Sequence, residues 1–284
     1  NSSTAVSPPR THSEPSRGLS NRHIQLIAIG GAIGTGLFMG SGRTISLAGP
    51  AVVFIYVVIG FFLFFMMRAM GELLLSNLRY KTFADFAADL IGPWAGFFVG
   101  WSYWFCWIVT AIAELVAITG YVQFWWAAVP LWLPTVLVVL IVFLLNAVSV
   151  KNFGEMEFWF ALVKIVAILA LIVVGAIMAL THFASPDGHT AQLANLWNDG
   201  GWFPNGAMGV VAGFQIAVFA FVGIELVGTT AAEARDPRTT LPRAINSVPV
   251  RILIFYVGSL LAILVVTPWR SINPEQSPFV AMFA

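Results

Sequence analysis

Charged residues are scarce in this sequence, and their scarcity excludes a water-soluble protein. Asp, Glu, Lys and Arg together make up 10% of the 284 residues, whereas soluble domains carry about a quarter. Hydrophobic residues make up 59% of the chain, so we predict a membrane protein. The net charge of +1 offers no basic surface to nucleic acid, which we exclude as a partner.

Cysteine is nearly absent, and catalytic combinations are missing. The single cysteine, Cys106, excludes an internal disulfide and a cysteine-rich metal site. The apolar segments contain no serine–histidine pair, aspartate pair or zinc motif of the kind that an intramembrane protease needs. We therefore predict a protein that is not an enzyme and that uses no metal or cofactor.

Long apolar runs are abundant, and each is long enough to cross a bilayer, which takes about 20 residues of helix. They predict an all-α polytopic membrane protein. The polar residues 1–20 predict a disordered tail, and the amphipathic stretch Thr82–Trp94 predicts a helix on the membrane surface. The predicted spans, named segments 1 to 7, are residues 24–48, 51–75, 96–125, 133–150, 155–181, 207–234 and 245–268.

The Lys and Arg residues favour one orientation, with the N-terminus in the cytoplasm. In that orientation the loop 182–206, which has neither Lys nor Arg, lies outside. Arg270 is the clear exception, because it falls in an outer loop. The residues that fall in cytoplasmic parts are Arg10, Arg17, Arg22, Arg79, Lys81, Lys151, Arg235, Arg238 and Arg243.

Segment 1 is rich in glycine, which allows two interpretations. Glycines let helices pack closely, or they interrupt the helix in mid-membrane, where unwound backbone must line protein or a wet cavity. In a broken helix the free N–H end suits a carboxylate and the free C=O end suits an ammonium group, so a free amino acid fits both. The glycines are Gly30, Gly31, Gly34, Gly36, Gly40 and Gly42.

Segment 6 has a second irregular point, where Gly223 is closely followed by Glu225. Two irregular segments five helices apart are typical of an inverted repeat in a transporter. Glu225 is expected to accept N–H bonds at the start of the new half-helix, to carry a proton, or both. The sequence therefore favours a solute transporter.

Two further ionisable residues lie inside segments. Lys164 in segment 5 costs about 2.5–3.5 kcal/mol or more at the centre of a membrane helix, so it is expected to face a cavity or the bundle interior. It either carries protons or binds backbone carbonyls as a permanent substitute for a cation. Glu114 in segment 3 either carries protons or makes a hydrogen bond between helices.

Aromatic side chains lie close to the expected site. Trp101, Trp104 and Trp107 recur every three residues, which predicts one helical face that packs on a neighbour, with Trp107 as the candidate for a cavity wall. Phe219 and Phe221 flank the irregular point of segment 6. One of them is expected to close over a solute, and plain core packing is the alternative.

Several strings resemble a known family. GGAIGTGLF from Gly30, FAFVGIELVGTTAAE from Phe219 and DPRTTLPRAI from Asp236 are similar to the amino acid–polyamine–organocation transporters. FGEMEFWFALVKIVAI from Phe153 and LWNDGGWFP from Leu196 narrow the resemblance to the bacterial amino acid permeases.

The resemblance implies a five-plus-five inverted-repeat transporter fold, of which about seven membrane helices are present here. Residues 21–181 would form the first repeat, 182–206 an extracellular loop and 207–284 the start of the second repeat. The implied activity is proton-coupled uptake of small neutral amino acids, such as D-serine, D-alanine and glycine, by alternating access across the bacterial inner membrane. Membrane lipids and the amino acid are the implied partners, and the proton gradient is the energy source.

The resemblance also implies roles for particular residues. Thr35 and Gly36 would donate to the substrate carboxylate, while carbonyls near Ile33, Phe219 and Val222 would receive the ammonium group. Phe219 would be the aromatic gate, and Lys164 would take the place of the sodium ion of related carriers. The predicted substrate-binding residues are Ile33, Gly34, Thr35, Gly36, Trp107, Phe219, Ala220 and Val222, and the predicted proton-coupling residues are Glu114, Lys164 and Glu225.

Alternatives remain open at this point. A permease or exchanger for aromatic or other amino acids would have the same broken helices. A membrane subunit or sensor that binds but does not transport is an alternative of another class.

Overall fold

A computed structural model describes residues 29–77, 80, 82–148, 150–186, 188–228 and 236–282. Only the backbone is described for residues 148, 150–155, 157 and 237. The predicted tail 1–20 lies outside the described residues, as do Arg79, Lys81 and Arg235. Among the described residues, five helical stretches are long and apolar enough to cross a membrane, and Trp132–Ala147 is a shorter apolar helix. Two of the five, Gly40–Ser76 and Gly206–Gly228, consist of more than one helical piece. The prediction of a helical, multi-pass membrane protein is confirmed.

Segment 1 is interrupted in the structure. Residues 29–32 are helical, and the Ile33 N–H bond to the Ile29 carbonyl closes their last turn. Gly34 is then extended, with φ −130° and ψ −162°, and the chain resumes as the short helix α1, Thr35–Phe38. Met39 separates α1 from α2, Gly40–Ala48. Segment 1 therefore consists of short helical pieces instead of one continuous span.

The next two helices are set by local signals. A turn at Gly49, whose φ of 62° suits glycine, leads through Gly49–Ala51 into α3, Val52–Ser76. Helix α4, Phe83–Leu90, begins with a capping box in which Thr82 and Asp85 satisfy each other's backbone N–H groups. It is shorter than the predicted stretch because Gly92, with φ 139°, precedes a new helix at Pro93.

Three long helices follow, and then the second broken segment. They are α5, Pro93–Trp125; α6, Trp132–Val148; and α7, Val150–Leu180. Segment 6 comprises α8, Gly206–Ala217, a 3₁₀ turn at Val218–Phe221 and a further turn through Gly223, whose φ is 98°. It too is irregular in mid-span.

Helix α9, Pro237–Val266, is the centre of the described bundle and packs against α3 and α7. It begins at residue 237 where the sequence predicted 245, because its first turns are polar and lie outside the apolar run. Glycines allow the close contacts: a side chain on Gly60 or Gly71 of α3 would meet Leu253 or Ile245 of α9.

The residues predicted to lie outside are structured and pack together. Asn195 is buried, and its amide donates to the Val265 carbonyl at the end of α9, at 2.8 Å. Trp269 is buried as well, and its indole N–H donates to the Asp199 carbonyl at 3.0 Å. The last described element is α10, Pro278–Ala281, which reaches back to segment 1.

Candidate functional site

The two broken segments meet at their breaks, backbone against backbone. A Cβ atom on Gly36 would lie 2.4 Å from the Ala220 Cα atom, which leaves no room for a side chain. On the other side, a Cβ atom on Gly223 would lie 3.1 Å from the Gly31 carbonyl oxygen. The glycines of segment 1 were interpreted either as a surface for close helix packing or as an interruption of the helix. The structure shows both, since the glycines permit close packing and lie at the interruption.

A cavity of about 600 Å³ opens beside this junction, which is a size typical of small-molecule sites. Segment 1 contributes mostly backbone and small side chains to its wall, while α5 and α6 contribute larger apolar side chains such as Ile118 and Phe143. Seven of the eight predicted substrate-binding residues line it: Gly34, Thr35, Gly36, Trp107, Phe219, Ala220 and Val222.

Ile33, the eighth, does not line this cavity. Its side chain is fully buried, and its carbonyl oxygen accepts a hydrogen bond from Lys164 Nζ at 3.0 Å. The same ammonium group donates to the Gly30 carbonyl at 3.2 Å. Lys164 therefore neutralises the C=O end of the first half-helix, as the substitute-cation interpretation expects.

Glu114 of α5 lies at the opposite end of the same break. One carboxylate oxygen, Oε1, accepts from the Thr35 backbone N–H at 3.1 Å and from the Thr35 hydroxyl at 3.1 Å. Both donors that the family resemblance gives to the substrate carboxylate at Thr35 are thus bound to an internal carboxylate. The N–H groups of Gly34 and Gly36 donate to no acceptor in the described part of the chain.

Glu225 caps the break of segment 6. Its Oε2 atom accepts from the Gly223 backbone N–H at 3.0 Å, and its Oε1 atom accepts from the Tyr103 hydroxyl at 3.2 Å. It is not part of the wall of the 600 Å³ cavity. Its position fits the capping interpretation more directly than contact with a solute.

The aromatic residues separate into distinct environments. Trp107 lines the cavity, whereas Trp101 and Trp104 are more than half exposed on the outside of α5. The rings of Trp101 and Trp104 contact each other, with centroids 5.3 Å apart. Trp107 points to another side of the helix than Trp101, because each step of three residues falls about 60° short of a full helical turn. Phe219 lines the cavity, while Phe221 is buried against the ring of Tyr56.

A second cavity, of about 450 Å³, lies on the other side of the contact between Glu114 and Thr35. Both of these residues line it as well, together with Lys164. Its remaining wall comes from α5, α7 and the chain around α10, where Ser277 donates to the Phe38 carbonyl at 2.5 Å. Glu114 therefore borders both cavities.

Sequence reasoning missed Tyr256 of α9. Its hydroxyl oxygen lies 2.7 Å from the Ala32 carbonyl oxygen and 2.7 Å from the Ala220 carbonyl oxygen, so it touches both breaks. A tyrosine in the middle of an apolar segment was the available signal, because a buried hydroxyl needs a partner.

Comparison with known proteins identifies the family of the chain. The family described as "Amino acid permease" matches residues 23–284. A D-serine/D-alanine/glycine transporter of Escherichia coli is 67% identical over 267 residues, which are 94% of this chain and 57% of that protein. The amino-acid permease AapA of Bacillus subtilis is 55% identical over 269 residues, which are 95% of this chain and 58% of that protein.

A more distant relative is the aromatic amino acid transport protein AroP of Escherichia coli. It is 45% identical over 267 residues, which are 94% of this chain and 58% of that protein. The chain thus spans somewhat more than half the length of these curated relatives. On the family match and these identities, the chain belongs to the amino acid permease family.

Proposed function

We propose that this protein takes up small neutral amino acids across the bacterial inner membrane, driven by the proton gradient. The observation that carries the proposal is the junction of two broken segments. Beside a cavity of about 600 Å³, it presents the Gly34 and Gly36 N–H groups, which have no acceptor among the described residues, together with the carbonyls of Phe219 and Val222. A relative with 67% identity is named for D-serine, D-alanine and glycine, which are small neutral amino acids.

The two charges of an amino acid match the two kinds of backbone group at this junction. The N–H groups of Gly34 and Gly36 suit the carboxylate. The carbonyl of Val222, on the other broken segment, suits the ammonium group. The carbonyl of Phe219 accepts from the Val222 N–H at 3.2 Å and has a second lone pair for the ammonium group. Phe219 is the proposed aromatic gate because it lines the cavity together with the residues of segments 1 and 6 that are proposed to bind the carboxylate and the ammonium group.

The position of Glu114 supports proton coupling. A substrate carboxylate at Thr35 would lie beside the carboxyl group of Glu114. When both groups are charged, they repel by about 4 kcal/mol at about 4 Å and an effective dielectric constant near 20. Protonation of Glu114 removes this repulsion and weakens its hold on Thr35. Proton binding and substrate binding then favour each other, which is what a symporter needs.

Lys164 is the second proposed coupling residue. Its ammonium group holds the carbonyls of Gly30 and Ile33, and it borders the second cavity together with Glu114. Release of its proton would free these carbonyls and loosen the end of the half-helix. Glu225 is proposed to stabilise the break of segment 6, and its part in coupling rests on its charge and position alone.

Uptake by proteoliposomes tests the proposal. The purified protein is reconstituted, and uptake of labelled D-alanine and glycine is measured with and without an imposed inward proton gradient. We expect gradient-driven accumulation, and we expect Lys164→Gln to retain exchange of internal for external D-alanine but to lose accumulation. Equal accumulation with and without the proton gradient would contradict coupling of uptake to protons. An absence of both uptake and binding would contradict the proposed function.

A permease for aromatic amino acids is the second candidate. The cavity is larger than alanine requires, and its wall on α5 and α6 is apolar. The relative AroP, at 45% identity, is named for aromatic amino acids. Competition of unlabelled phenylalanine against labelled D-alanine separates the two candidates, because the proposed function predicts weak competition by phenylalanine.

A further inference from the structure

The proposed function gives no role to Tyr256, which joins the two broken segments. Its hydroxyl oxygen lies 2.7 Å from the carbonyl oxygens of both Ala32 and Ala220. Ala32 is the last residue of the first helical piece of segment 1, and Ala220 lies inside the 3₁₀ turn of segment 6. One side-chain atom therefore contacts both breaks.

Tyr256 acts from behind the cavity. Ala32 and Ala220 both line the cavity wall, whereas Tyr256 does not, and its side chain is fully buried. A substrate in the cavity can touch these two alanines and their neighbours but not the tyrosine itself. Any effect of Tyr256 on substrate must therefore pass through the position of the two backbone segments.

The hydroxyl group is well suited to fix that position. A tyrosine hydroxyl has a single hydrogen, so two carbonyl oxygens at hydrogen-bonding distance must share it. Neither carbonyl can move away without a loss, and neither can move closer because the oxygen atoms would clash. The distance between the two breaks is thus limited by one shared atom.

The ring of Tyr256 is itself held in place. The ring centroid lies 5.0 Å from that of Phe221 and 5.8 Å from that of Tyr56. Phe221 belongs to segment 6 and Tyr56 to α3, so the tyrosine is packed between separate elements. Its hydroxyl cannot simply follow one broken segment if that segment shifts.

We propose that Tyr256 is a positioning residue that sets the distance between the carboxylate-binding part of segment 1 and the ammonium-binding part of segment 6. With that distance fixed, one amino acid contacts both parts at once and gains affinity over a ligand that contacts only one. The inference rests on the proposed function, because it assumes that the ligand is a zwitterion at this junction.

Binding to purified protein tests the inference with three ligands: D-alanine, which has both charged groups, ethylamine, which has only the ammonium group, and propionate, which has only the carboxylate. The variant is Tyr256→Phe, which removes the hydroxyl and keeps the ring. The matched control is Tyr56→Phe, because the Tyr56 hydroxyl is buried as well but bonds to neither the Ala32 nor the Ala220 carbonyl. Dissociation constants come from competition against labelled D-alanine, or from calorimetry where a variant binds the label too weakly.

We expect Tyr256→Phe to weaken D-alanine binding about tenfold and to leave ethylamine and propionate within about twofold of wild type. Tyr56→Phe is expected to change none of the three. Equal weakening of all three ligands would indicate a merely structural role and overturn the inference, as would unchanged D-alanine binding. If the wild-type protein binds no amino acid, the proposed function itself is overturned, and the inference about Tyr256 falls with it.

A second variant keeps the test decisive if Tyr256→Phe does not yield folded protein. Phe221→Leu retains the Tyr256 hydroxyl but removes part of the ring packing that holds it. It is expected to weaken D-alanine binding about threefold, again without an effect on the two single-charge ligands. A loss that is equal for all three ligands would count against the inference here too.

Discussion

Gly36 shows how a single residue limits the site. A Cβ atom at this position would meet the backbone of Ala220, at 2.4 Å from Cα and 2.6 Å from N, and backbone atoms cannot swing aside. We expect Gly36→Ala to reduce D-alanine uptake to below about a tenth of wild type, because overpacking costs about 1–3 kcal/mol or more and separates the two breaks. Uptake by proteoliposomes measures the effect.

Gly40→Ala is the control for this prediction. A Cβ atom on Gly40 would have ordinary contacts, 3.6 Å from Ile216 Cγ2 and 3.9 Å from the Thr35 carbonyl oxygen. Uptake close to wild type is therefore expected. Equal damage from both substitutions would mean that loss of glycine itself, and not the lack of space at Gly36, accounts for the effect.

Glu114 yields a prediction with an unusual sign. Glu114→Gln removes the negative charge that now occupies the Thr35 donors, so we expect D-alanine to bind about tenfold more tightly, while accumulation driven by a proton gradient is lost. Binding to purified protein and uptake by proteoliposomes are measured side by side. Glu72→Gln, an exposed change of the same charge on α3, serves as the control and should alter neither. Weaker binding by Glu114→Gln would favour a permanent bond between helices.

Among the elements, the chain around α10 closes one side of the second cavity. Ser277 donates to the Phe38 carbonyl of segment 1, and the rings of Phe38 and Phe279 pack edge to face at 4.9 Å. We expect Ser277→Ala to loosen this closure and to increase access to Tyr121 on the cavity wall. The measurement is the labelling rate of Tyr121→Cys by a membrane-impermeant thiol reagent, with Cys106→Ser as background, and we expect a rise of about threefold or more.

Ser271→Ala is the control for the Ser277 prediction. Ser271 pairs with His189 in an exposed contact away from the cavity, so its loss should leave the labelling rate unchanged. If both serine substitutions raise the rate equally, general loosening of this part of the chain is the better explanation. If neither does, the Ser277 bond does not limit access.

The elements that the sequence predicted are those with local signals. The break in segment 1 follows from its glycines, and α4 follows from the amphipathic pattern of its sequence. The start of α9 was placed too late because its first turns are helical but polar, and hydropathy cannot detect such turns. The predicted division into repeats stays a prediction, because the described residues give no second repeat to compare.

The site was predictable only in part, because local sequence signals mark some of its residues and not others. The glycine-rich sequence of segment 1 indicates Gly34, Thr35 and Gly36. In contrast, the hydrogen bond between Thr35 and Glu114 joins residues 79 positions apart. The contact of Tyr256 with Ala32 spans 224 positions. No periodicity relates such partners, so only the folded chain brings them together.

At the scale of the whole molecule, the distribution of basic residues predicts the orientation. Leu193 lies in the loop 182–206, which is predicted to be outside, and Arg238 lies at the predicted cytoplasmic start of α9; both are exposed. In a Cys106→Ser background, we expect Leu193→Cys to react with an impermeant thiol reagent in intact cells and Arg238→Cys to react only after permeabilisation. The reverse pattern would contradict a cytoplasmic N-terminus.

Segment 1 contributes mainly backbone atoms to the cavity wall, and this has a consequence for how substrate specificity could evolve. In the proposed site, main-chain atoms bind the carboxylate and ammonium groups that all amino acids share. A side-chain substitution does not replace these main-chain groups by others. The side chains of α5 and α6 on the facing wall, such as Ile118 and Phe143, are free to vary one at a time. New solute preferences would then arise by enlarging or narrowing that wall, while recognition of an amino acid as such is inherited intact.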